Sequence, residues 1–141
     1  MNHQTSLDLV QKQLAIMNQL GNFKISVLAD RDGLPIAWTC QKAESPERYS
    51  AAVALLNRTL DQVKSQLAWP KIDEIAIADE YGDRLVCRTA NIDQQMLSLV
   101  VLVPKYQRYR RVMNQALQII DSLLSKMPYY AAHQGDEADV A

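Results

Sequence analysis

Carboxylates concentrate in two short segments of the sequence. Asp30 and Asp32 lie two residues apart, and Asp79, Glu80 and Asp83 form a second group. Such oxygen donors could bind calcium or magnesium, but neither segment supplies the full run of ligands that a calcium loop needs. Aspartate also accepts hydrogen bonds from its own backbone in tight turns. We therefore interpret both groups as turn residues and expect no metal site.

The most strongly basic segment is KYQRYRR, in which Lys105, Arg108 and Arg111 recur at three-residue steps. On a helix these three side chains would share one face. Together with Arg110 they form a candidate binding patch for an acidic partner, although a solvated face whose side-chain stems cover apolar surface has the same sequence pattern. The net charge of -1 argues against a protein that binds by neutralising phosphates, so we expect no nucleic-acid partner.

The residues that most enzymes use for catalysis are scarce. The two histidines, His3 and His133, lie near the ends of the sequence, where neither is well placed to be a rigidly held base or a zinc ligand. Cys40 and Cys87 are far apart and match no zinc or redox motif. The sequence also lacks a glycine-rich phosphate loop. We expect no catalytic residue, cofactor or metal, and two reduced, buried thiols in a cytoplasmic protein.

Hydrophobic periodicity predicts three helices and five strands in a chain of 141 residues, of which 48% are hydrophobic. The order is helix, hairpin, helix, three-stranded meander, helix. The predicted helices cover residues 6–20, 46–68 and 105–127, and the predicted strands cover 24–30, 34–39, 72–79, 84–90 and 96–103. Hairpins imply an antiparallel sheet, and the last strand is apolar on both faces. The expected fold is therefore α+β, a three-layer α/β/α sandwich.

The chain reads as one domain over residues 1–128, followed by an acidic tail over 129–141 that we expect to be disordered. Its start does not have the pattern of a signal peptide. The longest apolar run, residues 99–104, is far shorter than the roughly 20 residues that a membrane helix needs. We therefore expect no membrane insertion.

Two apolar features suggest self-association. The strand over residues 72–78 is apolar and should lie at the edge of the meander, where an uncovered edge invites pairing with another chain. On the second helix, Leu55 widens the apolar stripe beyond Leu56 and Leu60. Either tertiary packing absorbs this surface, or a symmetric dimer joins the third strand and the second helix to their copies.

Two segments, VLADRDGLPIAW (27–38) and IAIADEYGDRLVCRTA (75–90), are followed by an apolar strand and a long helix. This pattern resembles the Roadblock (dynein light chain) domain family, including its regulators of bacterial gliding-motility GTPases, over about residues 11–124. The resemblance implies a five-stranded antiparallel sheet in the order 2-1-5-4-3. It places the middle helix on one face and the terminal helices on the other.

The same resemblance implies a function. Family members commonly dimerise through the middle helix and third strand, and they often regulate or scaffold Ras-like small GTPases. Carried over to this sequence, the dimer interface would comprise Leu55, Leu56, Thr59, Leu60, Ile75 and Ile77. We thus predict a homodimeric, non-catalytic module that binds a Ras-like small GTPase and stimulates or scaffolds it. A dimerisation scaffold without a GTPase, and a small-molecule sensor of the PAS or GAF type, are the alternatives.

Overall fold

The computed structural model describes residues 3–41 and 44–125. Its elements are α1 (His3–Gly21), β1 (Ile25–Asp30), β2 (Pro35–Cys40), α2 (Pro46–Leu67), β3 (Glu74–Ala78), β4 (Arg84–Ile92), β5 (Gln95–Val103) and α3 (Arg110–Ser125). This is the predicted order of elements. The predicted domain boundary at residue 128, the acidic tail and His133 lie outside the described residues.

All five strands form one antiparallel sheet in the order β2-β1-β5-β4-β3. The α+β class and the strand order expected from the sequence are therefore confirmed. β2 takes one edge of the sheet, where Pro35 is tolerated because it has no N–H to donate to a ladder. β3 takes the other edge and pairs with β4.

The sheet is covered by helices on both faces. α1 and α3 pack on each other and on one face, where the core includes Leu14, Leu99 and Met113. α2 lies on the opposite face, and its Val53 packs with Val100 of the central strand β5. Residues 97–101 of β5 are all buried, as expected for a strand covered on both sides. None of the described helices is long and apolar enough to cross a membrane.

α1 begins and ends outside its predicted range, whereas α2 begins at the predicted residue and ends one residue earlier. Thr5 and Ser6 are residue types that favour an N-cap position, but α1 begins before them, at His3, and Ser6 is buried. Ser45 does occupy the N-cap position of α2, but its side chain makes no capping hydrogen bond. Leu67, at the end of α2, continues the apolar stripe of the helix but is 51% exposed, because the helix there extends past the sheet residues that it covers at its centre.

The β1–β2 turn is built around Asp30. Its Oδ1 accepts hydrogen bonds from the backbone N–H groups of Asp32 and Leu34, both at 2.9 Å. Gly33 adopts a φ of 88°, and a Cβ there would lie 2.7 Å from the carbonyl oxygen of Ser50. The interpretation of this acidic pair as turn residues is confirmed by these contacts, and the turn fixes the hairpin against α2.

Replacing Asp30 with alanine should lower the free energy of unfolding by about 1–2 kcal/mol, because two backbone donors lose their acceptor. The matched control is Asp32→Ala, which removes an exposed carboxylate and should change stability by less than about 0.5 kcal/mol. Urea denaturation followed by circular dichroism measures both. Equal destabilisation by the two substitutions would contradict the role assigned to Asp30.

Candidate interaction surfaces

The basic segment of the sequence is only partly helical. α3 begins at Arg110, and the residues before it form a loop that follows β5. Tyr106 adopts a left-handed backbone conformation with φ of 66°, which an α-helix cannot contain. The prediction of a helix starting at Lys105 is therefore wrong. So is the prediction that Lys105, Arg108 and Arg111 share one helix face.

The loop and the first turn of α3 nevertheless bring the predicted cations together. They line a surface cavity of about 950 Å³ that is open to solvent, which we call the basic cavity. Its side-chain cations are Arg84, Lys105, Arg108, Arg110 and Arg111. Sequence reasoning missed Arg84. Its pairing with Val103 at the end of β5 could have revealed it, because the meander register places it beside the basic loop.

Arg84 holds the loop in position. Its guanidinium donates hydrogen bonds to the carbonyl oxygens of Pro104, at 3.3 Å, and of Gln107. It also lies over the ring of Tyr109, 5.2 Å from the ring centroid. The loop between β5 and α3 lacks a regular ladder of backbone hydrogen bonds. The guanidinium of Arg84 therefore donates to carbonyl groups that, in a helix, would accept hydrogen bonds from backbone N–H groups.

The β3–β4 turn forms another wall of the basic cavity. Asp79 Oδ1 accepts hydrogen bonds from the N–H groups of Tyr81 and Asp83, at 2.9 and 3.0 Å, as predicted for a turn residue. Asp83 Oδ1 in turn accepts the N–H of Lys105 at 2.9 Å. A Cβ at Gly82 would lie 3.1 Å from Lys105 Cγ, so the stem of Lys105 rests on this glycine. The acidic turn thereby anchors the start of the basic loop.

Glu74 ties the edge strand β3 to α3. The hydroxyl of Tyr109 donates to its Oε2 at 2.7 Å, and Arg110 and Arg88 lie 3.6 and 3.9 Å from its carboxylate. The Glu74 side chain is only 15% exposed. Burial, and then the hydrogen bond to Glu74, raise the pKa of Tyr109. The phenol therefore stays protonated at neutral pH and keeps donating to the carboxylate.

The second candidate surface lies on the α2 side of the sheet. α2 packs on β1, β2 and β5, which leaves the same face of β3 and β4 largely without a helix above it. Cross-strand pairing aligns Ile77 with Leu85 and Leu85 with Leu102, so these three side chains form an apolar row across the sheet. Ile77 is 50% exposed, and the other two are half-buried. We call this the apolar row.

The six residues predicted for a dimer interface occupy different environments. Leu55, Thr59 and Ile77 are exposed, Ile75 is half-buried, and Leu56 and Leu60 are only 8% and 7% exposed. Leu56 packs in the core cluster between α2 and the sheet. The last two residues therefore have little surface left for a second copy to bury. The interface itself stays a prediction, and the exposed members are the ones that can test it.

A polar cluster lies under α2 that sequence reasoning missed. Asn57 Nδ2 donates to the carbonyl oxygen of Arg31 at 3.2 Å and to Ser98 Oγ at 3.4 Å. Both Asn57 and Ser98 are buried. The sequence feature that could have indicated this cluster is an asparagine in the interior of the predicted second helix. Its contacts join α2 to the β1–β2 turn and to the central strand, so its role here is to orient the helix on the sheet.

The two thiols are free and differ in their surroundings. Cys87 is buried, and burial raises the pKa of its thiol to about 11. Cys40 is exposed, so the prediction that both thiols are buried is wrong for this residue. It lies at the end of β2, which is an edge strand and has a neighbouring strand, β1, on one side only among the described residues.

At about pH 8 a thiol reagent should modify Cys40 quickly and Cys87 only after unfolding, because reactivity needs an accessible thiolate. Titration with dithionitrobenzoate, before and after adding guanidinium chloride, measures both. Cys40→Ser is the control, and it should abolish the reaction of the native protein. Rapid modification of the native Cys40→Ser variant would contradict the assigned burial of Cys87.

No protein-family model matches the chain, and no curated protein matches its sequence. Solved structures do match it. MglB, a gliding protein from Thermus thermophilus, has a TM-score of 0.67 at 14% identity over 86% of this chain and 89% of that one. An MglB structure with a tetrameric arrangement gives 0.65 at 14% identity, over 89% and 92%. A Roadblock/LC7 domain from Streptomyces avermitilis gives 0.60 at 14% identity, over 80% and 92%.

Proposed function

We propose that this chain, which has the Roadblock/LC7 fold, is a homodimeric, non-enzymatic module that binds and regulates a Ras-like small GTPase. The observation that carries the proposal is the open edge of β3 beside the apolar row. The tetrameric arrangement of one MglB structure supports self-association of this fold. The GTPase partner is supported by the resemblance of residues 27–38 and 75–90 to the Roadblock family.

In the proposed dimer, β3 pairs with its copy and α2 packs on its copy across a twofold axis. Strand pairing satisfies the outward N–H and C=O groups of β3 and removes an edge that favours aggregation. A stable interface buries about 1,200–2,000 Å² in total. The five residues of β3 are too few to supply that area, so the proposal requires the exposed Leu55 on α2 as well as Ile77.

Regulation of the GTPase would be indirect. The dimer surface would bind the nucleotide-dependent switch segments and favour their ordered state over the disordered one. Such a role requires differential affinity for the two nucleotide states and no catalytic group on this chain. Both cysteines are free thiols, which fits the reducing cytoplasm that the proposal implies. A dimerisation scaffold without a GTPase is the second candidate, because the apolar row needs only a second copy.

Replacing Leu55 or Ile77 with aspartate should weaken dimerisation at least tenfold, equivalent to about 1.4 kcal/mol, because a charge enters an apolar interface. Both side chains are exposed in the single subunit, so its melting temperature should change little. Sedimentation over a concentration series measures the dimer. Leu20→Asp is the matched control, since Leu20 is 64% exposed on α1, across the sheet from α2.

A monomeric wild-type chain, or aspartate variants that dimerise like the wild type, would contradict the proposed interface. Leu56→Asp is not informative here. It places a charge in the core of the subunit, so unfolding would mask any effect on association.

The proposed binding of a GTPase is tested by a separate measurement. Ras-like GTPases encoded in the same genome should bind the wild-type chain with affinities that differ about fivefold or more between the GTP-analogue and GDP states. Calorimetry with each loaded form measures this. Binding by neither form of any such GTPase, with the dimer intact, would leave the scaffold as the supported function.

A further inference from the structure

The basic cavity carries positive charge that its surroundings do not neutralise. Arg110 lies 3.6 Å from Glu74, but Arg108 and Arg111 have no carboxylate within 4.0 Å in the part of the chain that the structure describes. Arg110 and Arg111 also occupy the first turn of α3, where the helix dipole disfavours cations. Local stability therefore does not explain Arg108 and Arg111, and such conflicts are expected at functional sites.

An exposed aromatic ring lines the same cavity, with Lys105 Nζ 4.9 Å from the ring centroid of Tyr106. Tyr106 is 88% exposed and has a φ of 66°, a conformation that bulky residues rarely adopt. The loop that carries it is anchored at both sides, by Asp83 at the N–H of Lys105 and by Arg84 at the carbonyl oxygen of Gln107. The chain thus holds a strained backbone position in a fixed place and presents the ring to solvent.

The composition and shape of the cavity indicate the class of its ligand. Tyrosine and arginine, together with tryptophan, are enriched at the energetic centres of protein interfaces. A small ligand normally has about 70–90% of its surface enclosed, which an open cavity does not provide. The chain as a whole has a net charge of -1, which disfavours a nucleic acid.

We propose that the basic cavity binds an acidic segment of a protein partner. Arg108 and Arg111 contact carboxylates of that segment, because their guanidinium groups form charge-assisted, two-pronged hydrogen bonds with carboxylates. The ring of Tyr106 packs on the segment, and Arg84 is a positioning residue that holds the loop. This interaction does not depend on the proposed GTPase, and it uses residues outside the proposed dimer interface.

The test uses the full chain and a fluorescein-labelled octaglutamate peptide, with octaglutamine as the uncharged control. Fluorescence anisotropy should show octaglutamate binding that weakens as sodium chloride rises from about 50 to 300 mM, because salt screens exposed charges. Octaglutamine should not bind. Failure of octaglutamate to bind at low salt would overturn the proposal, whatever the outcome of the dimer and GTPase experiments.

Matched variants locate the binding site. The double variant Arg108→Glu and Arg111→Glu should weaken binding about tenfold or more for each arginine–carboxylate pair that it removes. The control, Lys12→Glu with Lys24→Glu, makes the same change in net charge at exposed sites on α1 and just before β1, and should alter the affinity less than about threefold. Equal weakening by the two double variants would show a nonspecific charge effect and overturn the proposal.

Tyr106→Asn tests the ring separately, since asparagine tolerates a positive φ and so spares the backbone. We expect octaglutamate binding to weaken about threefold to tenfold, with an unchanged melting temperature. Unaltered affinity would overturn the role of the ring.

Two further results would overturn the choice of partner. In the first, octaglutamate binds only after Asp136, Glu137 and Asp139 are replaced by Asn, Gln and Asn. This result would show that the chain's own acidic segment occupies the basic cavity. Binding to phosphatidylserine vesicles without binding to octaglutamate would indicate a membrane surface.

Discussion

A five-stranded sheet is wider than one helix, and this mismatch shapes both faces of the molecule. Five strands spaced by about 4.8 Å span about 19 Å between the outer backbones, whereas a helix with its side chains is about 10–12 Å across. α1 and α3 together match the width of their face. α2 is alone on the other face and packs on β1, β2 and β5. An apolar strip on β3 and β4 is therefore left without a helix above it.

The edge strand β3 links the two candidate surfaces because its side chains alternate between faces. Ile75 and Ile77 point to the α2 side, where the apolar row crosses the sheet. Glu74 points to the other side, where it accepts the hydroxyl of Tyr109 and lies close to Arg110. One short strand thus contributes apolar surface to the proposed dimer and a partly buried carboxylate that orients a wall of the basic cavity.

The sequence contained most of the fold because its strands and helices have clear periods, and the turns at Asp30 and Asp79 carry their own hydrogen-bond acceptors. The basic loop was mispredicted for a specific reason. The apolar residues after Pro104 recur at helical spacing and so predicted a helix from residue 105, but the conformation there depends on Arg84, a residue about twenty positions earlier in the chain. The burial of Leu56 and exposure of Leu55 likewise depend on how α2 is rotated on the sheet. Such long-range contacts are not encoded in local periodicity.

The separation of the two surfaces has a consequence for affinity. The proposed pairing through Ile77 and Leu55 would cover the α2 side, whereas Glu74 and the first turn of α3 face away from it. A dimer built in this way carries two basic cavities related by a twofold axis. If a partner presents two acidic segments that span both cavities, the second binding event becomes intramolecular, and overall affinity can rise by about 10²–10⁴ without any new type of contact. Weak, salt-sensitive contacts at a single cavity would then suffice for firm binding to a bivalent partner.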